Sequence, residues 1–398
     1  MDTTRCYKFR IDPTPDQERS FVQFAGCRRY AWNWALSRKR EVYKSTGKGI
    51  GYNALAAELV KLKKTDAAFL TDCHSQVLQQ TLMDLDKAFK AFFEKRARFP
   101  RLKSRKRSPH AFRIPQNVSV VDGRVSVPKV GLVKARIHRP MEGTIKSATI
   151  KSATIKSATI KQETDGHWYV VFVSHIELPD FPPSCDQPCG IDVGLSSFLT
   201  LDNGTKVEPP QFYRKGQRKL KRLQRKLSRC QKGSKNRAKA KARVARQHHK
   251  TASRRNDFLH KLSHGLVTRY AALCLEDLNL SALVRTKLRG HSKSWTDAAL
   301  GNFLRMLDYK SLWNGGQVVK VGRWFPSSKT CHACQNIQPL DLSDRQWTCI
   351  QCSVVHDRDH NAAVNILSEG LRIVAHGRCA TQTASGESVR LVTTSSLR

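Results

Sequence analysis

Two Cys-x-x-Cys pairs, Cys331/Cys334 and Cys349/Cys352, stand fourteen residues apart. Each pair presents two thiolates from one tight turn, and two such turns close a tetrahedron around Zn2+. Four thiolates leave no open coordination position, so the spacing predicts one structural zinc rather than a catalytic one. His332 is a spare ligand candidate, expected to point outward. The other eight cysteines are scattered singles, Cys6, Cys27, Cys73, Cys185, Cys189, Cys230, Cys274 and Cys379. That is no disulfide framework of a small secreted protein; it predicts a reducing, cytoplasmic setting.

Acids are scarce in this chain, so acids in apolar surroundings stand out. Asp192 lies between Ile191 and Val193 in a predicted strand, where a carboxylate has no packing purpose. Glu276 ends the apolar run Leu273-Cys274-Leu275. Asp357 and Asp359 open a predicted helix. Acids from two strands and a helix could hold two Mg2+ ions about 4 Å apart, a phosphodiester-cleaving arrangement. Taken alone, each acid reads better as a helix cap or as a surface salt-bridge partner of an arginine.

The elements that must position these residues are set by the wider pattern. The 398 residues carry 71 Lys+Arg against 32 Asp+Glu, a net charge of +39. Such self-repulsion excludes an ordinary small-metabolite enzyme and calls for a polyanionic partner, nucleic acid by default. The length suggests two to four domains. No run of 18 apolar residues suggests a membrane span, and residues 1–10 do not read as a signal peptide. Residues 3–11 alternate as a strand. Thr14-Pro15-Asp16-Gln17 is a capping box that opens a helical region reaching about residue 95, with breaks at 47–51. Its last helix carries Leu78, Leu82, Leu85, Phe89 and Phe92 as one stripe, with Ser75, Gln76, Gln79 and Gln80 toward the opposite side. Residues 95–107 hold eight Lys/Arg and no acid. Short strands fill 111–178, and Pro179, Pro182, Pro183 and Pro188 read as a linker.

An α/β module begins at Cys189, with a strand through Gly190–Gly194, another at 198–201 and a hairpin turn at Asp202-Asn203-Gly204. Residues 214–255 contain 19 Lys/Arg and no Asp or Glu. Leu220, Leu223 and Leu227 give that segment one thin apolar stripe, predicting a helix with a basic girdle. Residues 271–276 and 318–321 read as buried strands. A helix spans 361–371, and the Ser/Thr-rich end reads as a frayed tail.

Gly190-Ile191-Asp192-Val193-Gly194, Leu275-Glu276-Asp277-Leu278, Ser327-Ser328-Lys329-Thr330-Cys331 and the run from Asp357-Arg358-Asp359 to Ile366 resemble the TnpB family. These are transposon-encoded proteins similar to the ancestors of type V CRISPR effectors. The order Asp, Glu, four cysteines, Asp also matches. So do Asp84–Phe89, Phe99–Lys103 and Gly166–Val170; the resemblance spans roughly 5–372. It implies an RNase H-like (RuvC) nuclease domain over 185–326 and 354–372, interrupted by a zinc-bearing target-nucleic-acid module at 327–353. It further implies a β-barrel wedge domain over 1–12 and 96–184, interrupted by a helical recognition domain at 13–95. Residues 373–398 remain as the tail.

The activity implied is Mg2+-dependent, RNA-guided cleavage of double-stranded DNA beside a short transposon-adjacent motif. Its guide RNA would come from the transposon end, in a bacterial or archaeal cytoplasm at the nucleoid. Carried over by position, the catalytic, Mg2+-holding set is Asp192, Glu276 and Asp359. Asp277 would face the other side of its strand; Asp357 fits better as the N-cap of the last helix. Ser353 stands where the family commonly has glycine. Basic residues at 95–107 and 214–255, among them Arg101, Lys103, Lys219, Arg222 and Arg225, would track guide and heteroduplex backbones. By residue type, Gln76, Gln79 and Gln80 read equally as a set that could enter a duplex groove, glutamine being able to pair with adenine, or as a plain polar helix face. A nuclease-dead repressor would require a lost acid, and none is lost. A strand-transfer transposase would call for an Asp-Asp-Glu order, against the Asp-Glu-Asp found here.

One motif stands outside the resemblance. Thr-Ile-Lys-Ser-Ala begins at Thr144, Thr149 and Thr154, so Ile145, Ile150, Ile155 and Ile160 recur every five residues. A strand alternates with period two, so an odd repeat puts successive isoleucines on opposite faces. Deleting one unit would then flip the facing of every later strand residue, whereas deleting two would preserve it.

Overall fold

The computed structural model describes residues 2–106, 108–141, 155–177, 187–285, 291–341 and 343–375. The proline linker through Pro183, Ile145, Ile150 and the tail beyond 375 lie outside them. The chain divides into two compact units, residues 1–179 and 180–398.

The first unit opens with β1 (Asp2–Asp12), followed by helices α1 (Pro15–Thr46), α2 (Tyr52–Lys64) and α3 (Ser75–Phe93). The capping box forms as expected: Gln17 N–H donates to Thr14 Oγ1 at 3.3 Å, and Thr14 N–H to Gln17 Oε1 at 3.0 Å. Strands β2 (Ala111–Ile114), β3 (Ser119–Val121), β4 (Arg124–Val127), β5 (Gly131–Ala135), β6 (Ile155–Gln162) and β7 (Trp168–Glu177) complete a sheet of order β2-β6-β7-β1-β5-β4-β3.

The expected barrel is not closed. β2 and β3 are the two edges, and no pairing joins them among the described residues. Nor do the helices stand apart as a domain of their own. Phe21 and Phe24 of α1 are fully buried against Phe112 and Trp168 of the sheet, with ring centroids 5.1–5.7 Å apart. Glu18 accepts the Trp168 indole N–H at 3.0 Å. Helices 13–95 and the sheet share one core because a sheet with an apolar face needs an element to cover it.

The second unit is built on β8 (Pro188–Asp192), β9 (Leu199–Leu201), β10 (Lys206–Val207), β11 (Ala272–Glu276) and β12 (Gln317–Val321), in order β10-β9-β8-β11-β12. β8, β11 and β12 are parallel; β9 and β10 run antiparallel. Helices α4 (Phe212–Arg229), α5 (Lys235–Arg269), α6 (Leu280–Val284), α7 (His291–Ala298) and α8 (Leu300–Trp313) fill the connections. α4 starts without a side-chain cap of its own. The buried Asp297 of α7 supplies one, accepting from Tyr213 N and Arg214 N and pairing with Arg255 at 2.9 Å. A short hairpin, β13 (Gln346–Thr348) and β14 (Val355–Asp357), leads into the last helix, α9 (Arg358–Ala375). No helix of the described residues is long and apolar enough to cross a membrane.

Candidate metal centres and nucleic-acid surface

The four cysteines form two knuckles with the same hydrogen-bond plan. Cys331 N–H donates to Asn336 O and Gln335 N–H to Cys331 O; Cys349 N–H donates to Val354 O and Ser353 N–H to Cys349 O. Each turn needs a left-handed residue directly after its second cysteine, and Gln335 (φ 63°) and Ser353 (φ 59°) supply it. The four sulfurs lie within 4.8 Å of one another, with Cys331–Cys352 at 3.6 Å and Cys334–Cys349 at 3.5 Å. A zinc–sulfur bond of about 2.3 Å requires tetrahedral edges of about 3.8 Å, so the donor set fits zinc. Backbone N–H groups of Cys352 and Gln351 turned on the Cys349 sulfur draw its thiol down to about 6, into the range of a ready thiolate ligand.

His332 does not simply point outward. It is half-buried, its ring 4.8 Å from that of His356. His356, absent from the expected ligand set, is buried, stacks on Trp347 and places Nε2 3.1 Å from the Cys331 sulfur. Burial, with His332 and His360 nearby, lowers its pKa and so favours the neutral ring. Three residues later in the chain comes Asp359.

The other side of the same junction is held by amides. Asn361 Nδ2 donates to Thr330 O at 2.7 Å while its Oδ1 accepts from His332 N at 3.0 Å. One turn on, Asn365 Nδ2 donates to Ser327 O and Thr330 O. Both side chains are buried. They fasten α9 to the segment entering the first knuckle, so cysteine module and last acid form one assembly. Buried asparagines in a motif with spacing i, i+4 were the available signal.

Asp192 ends β8 and Glu276 ends β11, its parallel neighbour; Ile191 pairs with Leu275 one residue earlier. Asp359 lies in the first turn of α9. Burial and the charges of Asp359 and Glu276 push the Asp192 carboxyl up to about 7. Burial also raises Glu276. Among the described residues neither Asp192 nor Glu276 has an ion-pair partner, and Asp359 meets only Arg345, at 3.9 Å. The carboxylates do not close to the spacing of the sulfurs: among the described residues, only the cysteines form a group within 4.8 Å. Asp357 is the N-cap, accepting from His360 N at 3.0 Å and pairing with Lys206 at 2.7 Å. Asp277 is exposed and pairs with Arg323 at 3.0 Å.

The basic residues divide by surroundings. Lys219, Arg222 and Arg225 are exposed on α4, in a stretch with no acid to pair with them. Arg101 is exposed, while its carbonyl accepts the Trp32 indole N–H at 3.0 Å. Lys103 is half-buried over the Trp32 ring, 3.3 Å from its centroid, and desolvation lowers its pKa to about 8. The three glutamines do not form the single free face expected of them. Gln80 is buried and donates to Asp84 at 2.9 Å, and Gln76 donates to Gln116 at 3.1 Å. Only Gln79 of the three is fully exposed. Positions 77, 78, 81 and 82 make the buried stripe, and Gln80 sits inside its arc.

Residues 176–287 match the family described as "Probable transposase" (OrfB_IS605), and 301–366 match "Cas12f1-like, TNB domain". Residues 1–48 match a "Helix-turn-helix domain", although here they form one strand and one long helix. A protein of Streptomyces pristinaespiralis named "Putative RNA-guided DNA endonuclease" is 36% identical over 379 residues, 94% of this chain and 91% of that one. Another of Escherichia coli K12, carrying the same description and the name InsQ, is 33% identical over 394 residues, covering 95% of each. A cryo-EM structure of a Cas12f1–sgRNA–target DNA complex shares the fold, with TM-score 0.59 at 13% identity over 92% of this chain and 98% of that one. The matches define a transposase-related class of protein. The chain belongs to the TnpB family.

Proposed function

We propose that this protein is an RNA-guided DNA endonuclease of a transposable element, cutting double-stranded DNA beside a short transposon-adjacent motif. The observation that carries the reading is an imbalance. In a chain at +39, two half-buried carboxylates at the ends of adjacent parallel strands form no direct ion pair among the described residues; Arg358 and Arg323 act on them only through space, and burial outweighs them. Acids left unpaired amid such an excess of base suit an external cation. Asp192, Glu276 and Asp359 would hold Mg2+, two ions in the full site, in an RNase H-like (RuvC) nuclease centre. Bound there, magnesium supplies Lewis-acid stabilisation of charge at a phosphodiester. Burial and its acidic neighbours push the Asp192 carboxyl up to about 7, and a bound cation would favour its charged form.

Four cysteines hold Zn2+ and thereby fix β14, so that Asp359 enters α9 at a set height. The exposed bases of α4, with Arg101, bind the phosphates of guide RNA and target DNA and read backbone rather than sequence. The names of the relatives support the same activity, exercised at the bacterial or archaeal nucleoid. All three acids being present favours cleavage over guided repression.

The test is direct. Protein carrying its co-purified RNA is incubated with Mg2+ and duplex DNA matched to that RNA. Guided double-strand cutting by the wild type, lost in Asp192→Ala while guided binding stays within about tenfold, is the expected result. Binding without cutting by the wild type would make it a repressor; strand joining would make it a transposase.

A further inference from the structure

The chain has seven tryptophans, and six are buried or half-buried. Trp324 is 91% exposed. A side chain of this size gains most from burial, so folding gives no reason to leave it in water. Its position is held tightly. Gly322–Phe325 is a turn closed by Phe325 N–H to Gly322 O at 3.0 Å. On one side Arg323 donates to Asp277 O at 3.1 Å and pairs with its carboxylate at 3.0 Å. On the other side Phe325 packs into the small core of Cys274, Val319, Val321 and Ile366. Arginine and phenylalanine pin the turn, and tryptophan is its projecting corner.

The turn leaves β12 at its carboxyl end. Val321 pairs with Glu276, and Asp277 N–H donates to Val321 O at 3.0 Å. Ligands of open α/β sheets gather outside the carboxyl ends of the parallel strands, and here that edge carries Asp192 and Glu276. Along the chain beside Trp324 the exposed positions are Gly322, Arg323 and Lys329, none of them a large apolar side chain of the kind a protein partner covers. One rigid exposed ring among cations beside a phosphodiester site is the layout of a base-stacking surface.

We propose that Trp324 is a stacking platform for a nucleobase of the DNA strand entering the acidic site. It would hold the strand by a base while cations held by the carboxylates would meet its phosphate. It is a positioning residue for the reaction, and the proposal rests on the endonuclease reading above. Every base offers a π face, so the contact is indifferent to sequence, as an enzyme guided by base pairing requires.

Two experiments with the full chain and its RNA test it. In metal-free buffer, a twelve-nucleotide single-stranded DNA bearing 2-aminopurine is titrated with wild type, Trp324→Ala and Trp324→Phe. Stacking predicts quenched 2-aminopurine fluorescence in wild type, loss of the quench with about tenfold weaker binding in Trp324→Ala, and recovery of most of both in Trp324→Phe. Melting temperatures should coincide, since the ring touches no core. In the second, matched duplex targets carry an abasic nucleotide at successive positions around the cut. One abasic position should slow wild type about as much as Trp324→Ala does, and should add nothing in the variant. Equal quenching and affinity in wild type and Trp324→Ala would overturn the proposal; quenching of an RNA probe only would reassign the ring to the guide. If no duplex is cut by any form, the endonuclease reading fails, and the fluorescence titration still decides whether Trp324 stacks.

Discussion

Gly190 lies directly beneath Ala363: a Cβ on Gly190 would stand 2.1 Å from the Ala363 carbonyl oxygen and 2.7 Å from the Leu367 Cβ. This close approach lays α9 flat on β8. Two residues up the strand from Gly190 is Asp192; one turn back along the helix from Ala363 is Asp359. Gly370 repeats the device lower down, where a Cβ would meet the Cys274 sulfur at 2.3 Å. The helix can sit at that depth only where one of the two facing residues has no side chain, Gly190 on the strand in the first case and Gly370 on the helix in the second.

Gly190→Ala is therefore expected to lift α9, destabilising the second unit by about 1–3 kcal/mol and separating the acids. Guided cleavage should fall by far more than guided binding. Thermal unfolding together with a cleavage time course checks this; unchanged cleavage in Gly190→Ala would show that the contact does not set the site.

Asp192→Asn should stabilise the metal-free protein, in a pH-dependent way. The folded pKa, about 7, lies above the ordinary value of 3.8. The charged carboxylate therefore carries a folding penalty that is absent below pH 4, grows as pH rises to 7 and is constant above. Its ceiling is on the order of a few kcal/mol. Melting curves in buffer without added Mg2+ should show the variant gaining several degrees at pH 8 and nothing at pH 4; the gain should shrink when Mg2+ is added.

Elemental analysis should find one zinc per chain, and Cys349→Ser should lose it. Ser353→Gly and Gln335→Gly should each stabilise the zinc module by about 1 kcal/mol, because both positions are left-handed and glycine adopts that conformation without steric cost. The midpoint of zinc loss to a chelator is the readout. A glycine variant that releases zinc more easily would contradict the geometry.

Binding to unrelated duplex DNA should weaken steeply with salt. Replacing Lys219, Arg222 and Arg225 together by alanine should flatten the log–log slope by about 0.9 for each contact removed. Fluorescence anisotropy across a salt series measures it, and an unchanged slope would mean that this face of α4 meets no phosphate.

The repeat behaves differently from a strict two-residue alternation. On β6, Ile155 stands opposite Ser174 and Ile160 opposite Val170, with a register shift between Ile155 and Ser157. Five residues of β6 thus span four of β7. The odd length of the unit is absorbed by a bulge inside its last copy. Deleting one upstream copy should therefore cost no more stability than deleting two, in place of the alternation expected from parity. Equal melting temperatures for the two deletions would bear this out.

The gathering of the four cysteines, the capping box at Thr14, the basic helices and the strands that carry Asp192 and Glu276 were legible in the sequence, although β8 begins at Pro188 and stops at Asp192 rather than running from Gly190 to Gly194. Their signals are local: ligand spacing within one turn, cap chemistry within four residues, apolar runs and charge runs. The choice of Asp357 as cap over Asp359 was legible too, since a cap is defined by its distance to the helix it opens. What tertiary structure decided depends on residues far apart in the chain. The parallel pairing of β8 with β11 puts two acids on adjacent strand ends with no direct ion pair among the described residues. Folding of the cysteine module buries His356 against Cys331 and brings Asn361 and Asn365 onto the carbonyls of 327–330. Only packing distinguishes Gln80, sealed against Asp84, from Gln79 in solvent, or closes a sheet into a barrel, which here it does not. No single-chain pattern reveals that Trp324 is left in water, because its side chain is excluded from the core by the turn that buries its neighbour Phe325.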